Sequence, residues 1–134
     1  MKALSVKQPW ASLIAAGRKT LEVRSKRTHY RGPLVICSSQ QPDRGTRPYR
    51  ASAILPNSET YPLGVTLAIV DLVDCREGKR SDAHHALSGS PVGQFVWVLT
   101  RPRPCRHLPV KGKLGVYDLP DSVAAALDKG GARK

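Results

Sequence analysis

"LSVKQPWASLIAAGRKTLEVR", residues 4–24, decides how the rest of the chain is read. Pro9 suits the first turn of a helix, Ala11 to Ala16 are good to fair helix formers, and Gly17 is the residue expected where a helix ends in a left-handed turn. The spacing predicts a short helix over Pro9 to Ala16. Before it, "KALSVK" alternates apolar and polar residues as a strand does. After it, "LEVRS" alternates so that Leu21, Val23 and Ser25 share one face while Glu22 and Arg24, with Thr20, share the other. Glu22 and Arg24 can then pair, and Lys19 can approach them from the helix side.

Further along, "PLVICSS" is apolar enough for a strand buried on both faces, and "GVTLAIVDLVDC", residues 64–75, gives the strongest strand signal in the chain. "FVWVLT", residues 95–100, and "KLGVYDLP" add two more strands, and "DSVAAALDK" reads as a C-terminal helix starting at Asp121. Residues 40–62 carry four prolines and no sustained period, so they read as a long loop, either a substrate lid or a variable insertion. Residues 76–93 suit a polar loop with one helical turn around "DAHHAL". Prolines are expected to break "RPRPCRHLPVKG" into an extended connection. Together these elements predict an α+β fold: a small, mostly antiparallel β-barrel with a short early helix and a C-terminal helix at its rim. One domain over residues 1–129 is expected, followed by a flexible basic tail over 130–134.

Twenty-two Lys and Arg against ten Asp and Glu give a net charge of +12, far more than solubility needs. The charge is uneven, with +9 in residues 1–50, −2 in residues 51–100 and +5 in residues 101–134. If the two ends of the chain meet in space they form one positive face, which predicts attraction to RNA or another single-stranded nucleic acid. Three widely spaced cysteines, with no secretory signal and no long apolar run, predict a reduced cytoplasmic protein without a membrane partner. No phosphate-cradling loop, nucleophile elbow or cofactor motif is present in the sequence, so no cofactor is expected. No metal is expected either, because Cys105 with His107 is a lone pair and the adjacent His84 and His85 point apart in most backbones.

The run from Leu4 to Arg24 resembles the ASCH domain, a member of the PUA-like group of RNA-binding folds. Its hallmark G-x-K-x-x-E-x-R is met by Gly17, Lys19, Glu22 and Arg24, and the likeness continues in "YRGPLVICSS", "GVTLAIVDLVDC" and "FVWVLTRPRPCRHLPVKGKLGVYDLP". The resemblance implies a five- or six-stranded PUA-like barrel with a cleft into which the early helix and the hallmark segment project. It also implies work on RNA or coregulator-linked nucleic acid. Some members resemble amidohydrolases that deacetylate N4-acetylcytidine, and others have been proposed to cleave RNA.

On this reading the ligand pocket comprises Trp10, Lys19, Glu22 and Arg24, and it would recognise a nucleotide base, modified or unmodified. Glu22 accepts hydrogen bonds there and Trp10 offers a stacking face. Lys7, Arg18, Lys26, Arg27, Arg31, Arg101, Arg103, Lys111 and Lys113 are the candidates for phosphate contacts. If the chain is an enzyme it is a metal-independent amidohydrolase or ribonuclease, with Lys19 and Glu22 as the catalytic pair. In the similar acetylcytidine hydrolases a threonine stands three residues after the lysine, whereas Glu22 stands there in this chain. Glu22 beside Lys19 is expected to favour the charged ammonium. The alternative is a surface ion pair worth ~0–1 kcal/mol with no chemical role.

Overall fold

A computed structural model describes residues 1–43 and 61–130, with the side chains of 128–130 excepted. Most of the 40–62 loop and nearly all of the basic tail lie outside the described residues. Six strands, β1 (Lys2–Val6), β2 (Leu21–Arg24), β3 (Gly32–Ser38), β4 (Thr66–Glu77), β5 (Phe95–Pro104) and β6 (Val116–Asp118), form one sheet in the order β2-β5-β4-β3-β1-β6. Neighbours are antiparallel except β1 and β3, which run parallel. The sheet curls into a half-barrel, so the fold is the expected α+β one.

Three helices accompany the sheet: α1 (Trp10–Ala15), α2 (Ala83–Ala86) after a 3-10 turn at Arg80–Asp82, and α3 (Asp121–Gly130). Alternation along β3 explains how the core is divided. Leu34 and Ile36 join Leu4, Val6, Val70, Trp97 and Leu99 on the concave side, which α1 plugs with Ala11 and Ile14. Val35 and Cys37 point the other way, against Ile69, Tyr117, Leu119 and Leu127 of α3. Each face removes apolar surface from water, at roughly 25 cal/mol per Å². No helix among the described residues is long and apolar enough to cross a membrane.

Two strand lengths differ from the sequence reading. β5 continues through "RPRP" to Pro104 where a broken connection was expected. The reason lies in the short length of β2, which pairs only with Phe95 to Val98. Cys105 donates to the Leu67 carbonyl at 3.3 Å, so alternation turns Pro102 and Pro104 toward the edge that β2 has vacated. Their missing N–H groups break no ladder there. β6 is only three residues long, and Lys111 to Gly115 form a loop ahead of it.

β2 and β6 end the sheet without pairing to each other. Arg24 bridges part of this seam, donating from Nη2 to the Ser5 carbonyl of β1 at 3.0 Å. That carbonyl lies just past the last β1 residue that β6 pairs, Leu4. An edge acceptor that the strands leave open is thus satisfied by a side chain.

Candidate functional site

The helix end delivers the first residue of the candidate site. Gly17 takes φ +78°, its N–H bonds the Ile14 carbonyl at 3.0 Å, and the Arg18 N–H bonds the Leu13 carbonyl at 2.9 Å. This paired arrangement closes a helix and reverses the chain. Any side chain at position 17 would strain that left-handed turn. The turn sends Lys19 inward, leaving it only 5% exposed.

Lys19 Nζ donates to the Ala86 carbonyl at 2.6 Å and lies 3.7 Å from Glu22 Oε1. Ala86 is the last residue of α2, so the ammonium serves one of the carbonyls that a helix end leaves unpartnered. Glu22 Oε2 accepts from Arg24 Nε at 2.9 Å. The expected pairing of Glu22 with Arg24 on one face of β2 is therefore present, and Leu21 packs on the opposite face against Ala86 and Val96. Glu22 favours the charged ammonium of Lys19, as expected, but burial outweighs it and pushes the Lys19 pKa below its ordinary value.

Trp10 stands over this group with its ring centroid 5.4 Å from Lys19 Nζ. Its indole N–H donates to Asp43 Oδ2 at 2.8 Å, which fixes the ring plane. Trp97, by contrast, is core as its apolar strand implies, with its N–H on the Lys26 carbonyl. Arg24 stacks near Trp97 at 5.9 Å.

All four expected pocket residues, Trp10, Lys19, Glu22 and Arg24, line one cleft of about 750 Å³. This falls within the usual range for small-molecule pockets. Lys7, Lys111 and Lys113 form part of its lip, and none of them pairs with a carboxylate among the described residues. The two ends of the chain do meet here, since β1 lies between β3 and β6. The other basic candidates lie outside the cleft lining. Arg18 and Lys26 are exposed, and Arg27 stacks on Phe95 at 4.9 Å. Arg31 donates to the Thr28 and Tyr30 carbonyls, while Arg101 and Arg103 both bind Asp71, at 2.9 and 3.1 Å.

Three supporting residues escaped the sequence reading. Gln8 is buried at the start of α1, accepting from the Ser12 N–H at 2.9 Å and donating to Ser12 Oγ and the Pro62 carbonyl. Asp43 binds the Gln8 carbonyl through its own N–H at 2.8 Å and holds Trp10. Asp82 is buried, accepts two bonds from Arg76 at 2.8 and 3.0 Å, and takes the Lys79 N–H at 2.8 Å. It fixes the turn that carries Ala86 to Lys19. Gly78 makes room for that turn, because a Cβ there would meet the Pro91 carbonyl oxygen. Only the glutamine beside Pro9 gave any local signal, as a polar residue entering a helix. No group of three His, Cys, Asp or Glu among the described residues is placed to hold a metal ion.

A curled mixed sheet, a short helix plugging its concave side and a lysine–glutamate–arginine cluster beneath a tryptophan define a barrel-like β domain with a charged cleft. The family model for the ASCH domain matches residues 4–106. The chain belongs to the ASCH domain family. It is 32% identical to activating signal cointegrator 1 of Homo sapiens and to that of Mus musculus over 139 aligned residues, covering 95% of this chain. It spans only 24% of the length of those relatives. Among solved structures, an ASCH protein from Zymomonas mobilis superposes with a TM-score of 0.65 at 12% identity, covering 96% of this chain and 93% of that one. A single-residue variant of it gives 0.62 at the same identity, covering 96% of each chain. These likenesses establish the fold.

Proposed function

We propose that this ASCH domain binds RNA or single-stranded nucleic acid, seating one nucleotide base, modified or unmodified, in the cleft. The observation that carries the reading is the arrangement of charge by depth. On the floor, Glu22 is held between Lys19 and Arg24, so a carboxylate is presented at a fixed angle without a large excess of either sign. A carboxylate there repels phosphate but accepts hydrogen bonds from a base amino or imino group. On the lip, Lys7, Lys111 and Lys113 stand where a backbone would pass. Three reduced, buried cysteines fit a reducing compartment such as the cytoplasm.

Fluorescence anisotropy with a labelled single-stranded RNA tests this directly. Three phosphate contacts predict a log–log salt slope of about −2, and each lysine changed to alanine should reduce the slope by about 0.7. Arg101→Ala with Arg103→Ala should leave the slope unchanged. Salt-independent binding, or loss from the Asp71 arginines instead of the lysines, would overturn the reading.

A hydrolase is the second reading, supported by the burial that pushes the Lys19 pKa below its ordinary value, since that shift is in the direction a general base needs. In that case the neutral amine keeps an N–H on the Ala86 carbonyl while its lone pair takes the proton. Mass analysis after incubation with N4-acetylcytidine or short RNA separates the readings: a product lost in Lys19→Ala indicates catalysis, and unchanged substrate indicates a binder.

A further inference from the structure

Leu114 sits on the lip of the cleft and is 99% exposed. A lone exposed leucine is ordinary on a protein surface and carries no meaning by itself. Its setting sets it apart. Among the described residues, the other large exposed apolar side chains, Met1, Leu63, Val73 and Val92, are 40–63% exposed and none lines the cleft. Leu114 instead follows Lys111 and Lys113 on the same lip.

The segment that carries it touches the barrel at one residue. Gly112 approaches β1 so closely that a Cβ there would come within 2.7 Å of Ser5 Oγ. Gly115 then turns the chain with φ +66°. Leu114 therefore projects, beside Lys113, from a short loop that Gly112 presses onto the barrel. Trp10 supplies an aromatic face within the same cleft.

We propose that Leu114 is a wedge that holds a base stack open. When a nucleotide leaves its neighbours to place its base against Trp10, the leucine enters the gap left behind. The inference rests on the nucleic-acid reading above and adds the step by which a base is taken from a stacked strand. Apolar side chains act in this way between base steps, and stacking on an aromatic ring replaces the contact that the departing base gives up. Lys111 and Lys113 aim the leucine by holding the adjacent phosphates. No covalent step is involved.

Anisotropy titrations with labelled oligoadenylate, whose bases stack strongly, and labelled oligouridylate, whose bases stack weakly, test the wedge. Leu114→Ala should weaken oligoadenylate binding about tenfold, as losing a leucine-sized contact implies, leave oligouridylate within about twofold, and be rescued by Leu114→Met. Equal losses on both strands, or no loss on either, would overturn the wedge and leave the nucleic-acid reading intact. No binding of either strand by the wild-type protein would overturn both. Leu114 belongs to no core cluster, so the alanine variant keeps the fold, and its melting curve checks this.

Discussion

Two clusters in this molecule have nearly the same composition and opposite characters. Lys19 and Arg24 flank Glu22 on the cleft floor, while Arg101 and Arg103 flank Asp71 where β4 meets β5. The Glu22 side chain is 10% exposed and faces a cavity. The Asp71 cluster is more open, with its carboxylate side chain 22% and the Arg101 side chain 69% exposed, and Arg103 donates back to the Arg101 carbonyl. One carboxylate between two cations is therefore no mark of a site. What distinguishes the cleft group is desolvation: burial pushes the Lys19 pKa below its ordinary value, and the group lines a cavity of about 750 Å³.

The two clusters should differ most at Glu22. Glu22→Leu keeps volume but leaves the buried Lys19 without its counter-charge, and urea unfolding at neutral pH should show a loss of about 3 kcal/mol. A loss below about 1 kcal/mol would place Glu22 in the same class as Asp71. Asp82 sharpens the scale from the middle, because it is buried while its partner Arg76 is 36% exposed. The Arg76 guanidinium holds the Asp82 carboxyl down at about 2 against an ordinary 3.8. A depressed folded-state value means that the stabilisation is complete above the unfolded value and disappears as pH falls toward the folded one. Asp82→Asn should thus cost about 1–2 kcal/mol at neutral pH, allowing for the exposed partner, and should flatten the acid-unfolding curve between pH 4 and 2. The smallest effect belongs to Asp71→Asn, about 0–1 kcal/mol and fading as salt is added.

The hallmark segment could be read in advance because its determinants are local. Gly17 ends the helix, and the two-residue alternation of β2 puts Glu22 and Arg24 on one face whatever packs around them. β3 could be read for the same reason, its continuous apolar run implying burial on both sides. The length of β5 could not. Whether a proline breaks a strand depends on which edge its nitrogen faces, and that depended on where β2 stopped. The partner of Lys19 was equally hidden, because the Ala86 carbonyl is a backbone atom 67 residues away, brought in by a turn that Asp82 fixes. Of the nine basic residues expected to hold phosphate, composition could not separate the three on the cleft lip from the two arginines bound to Asp71.

Arg24 reaches Glu22 with one nitrogen and the Ser5 main chain with another. Replacing it by lysine would preserve the charge yet supply no second, rigidly angled donor, so the two grips could not be kept together. The floor of the cleft and the closure of the barrel seam at this point share a single fork of atoms, so a change to one disturbs the other.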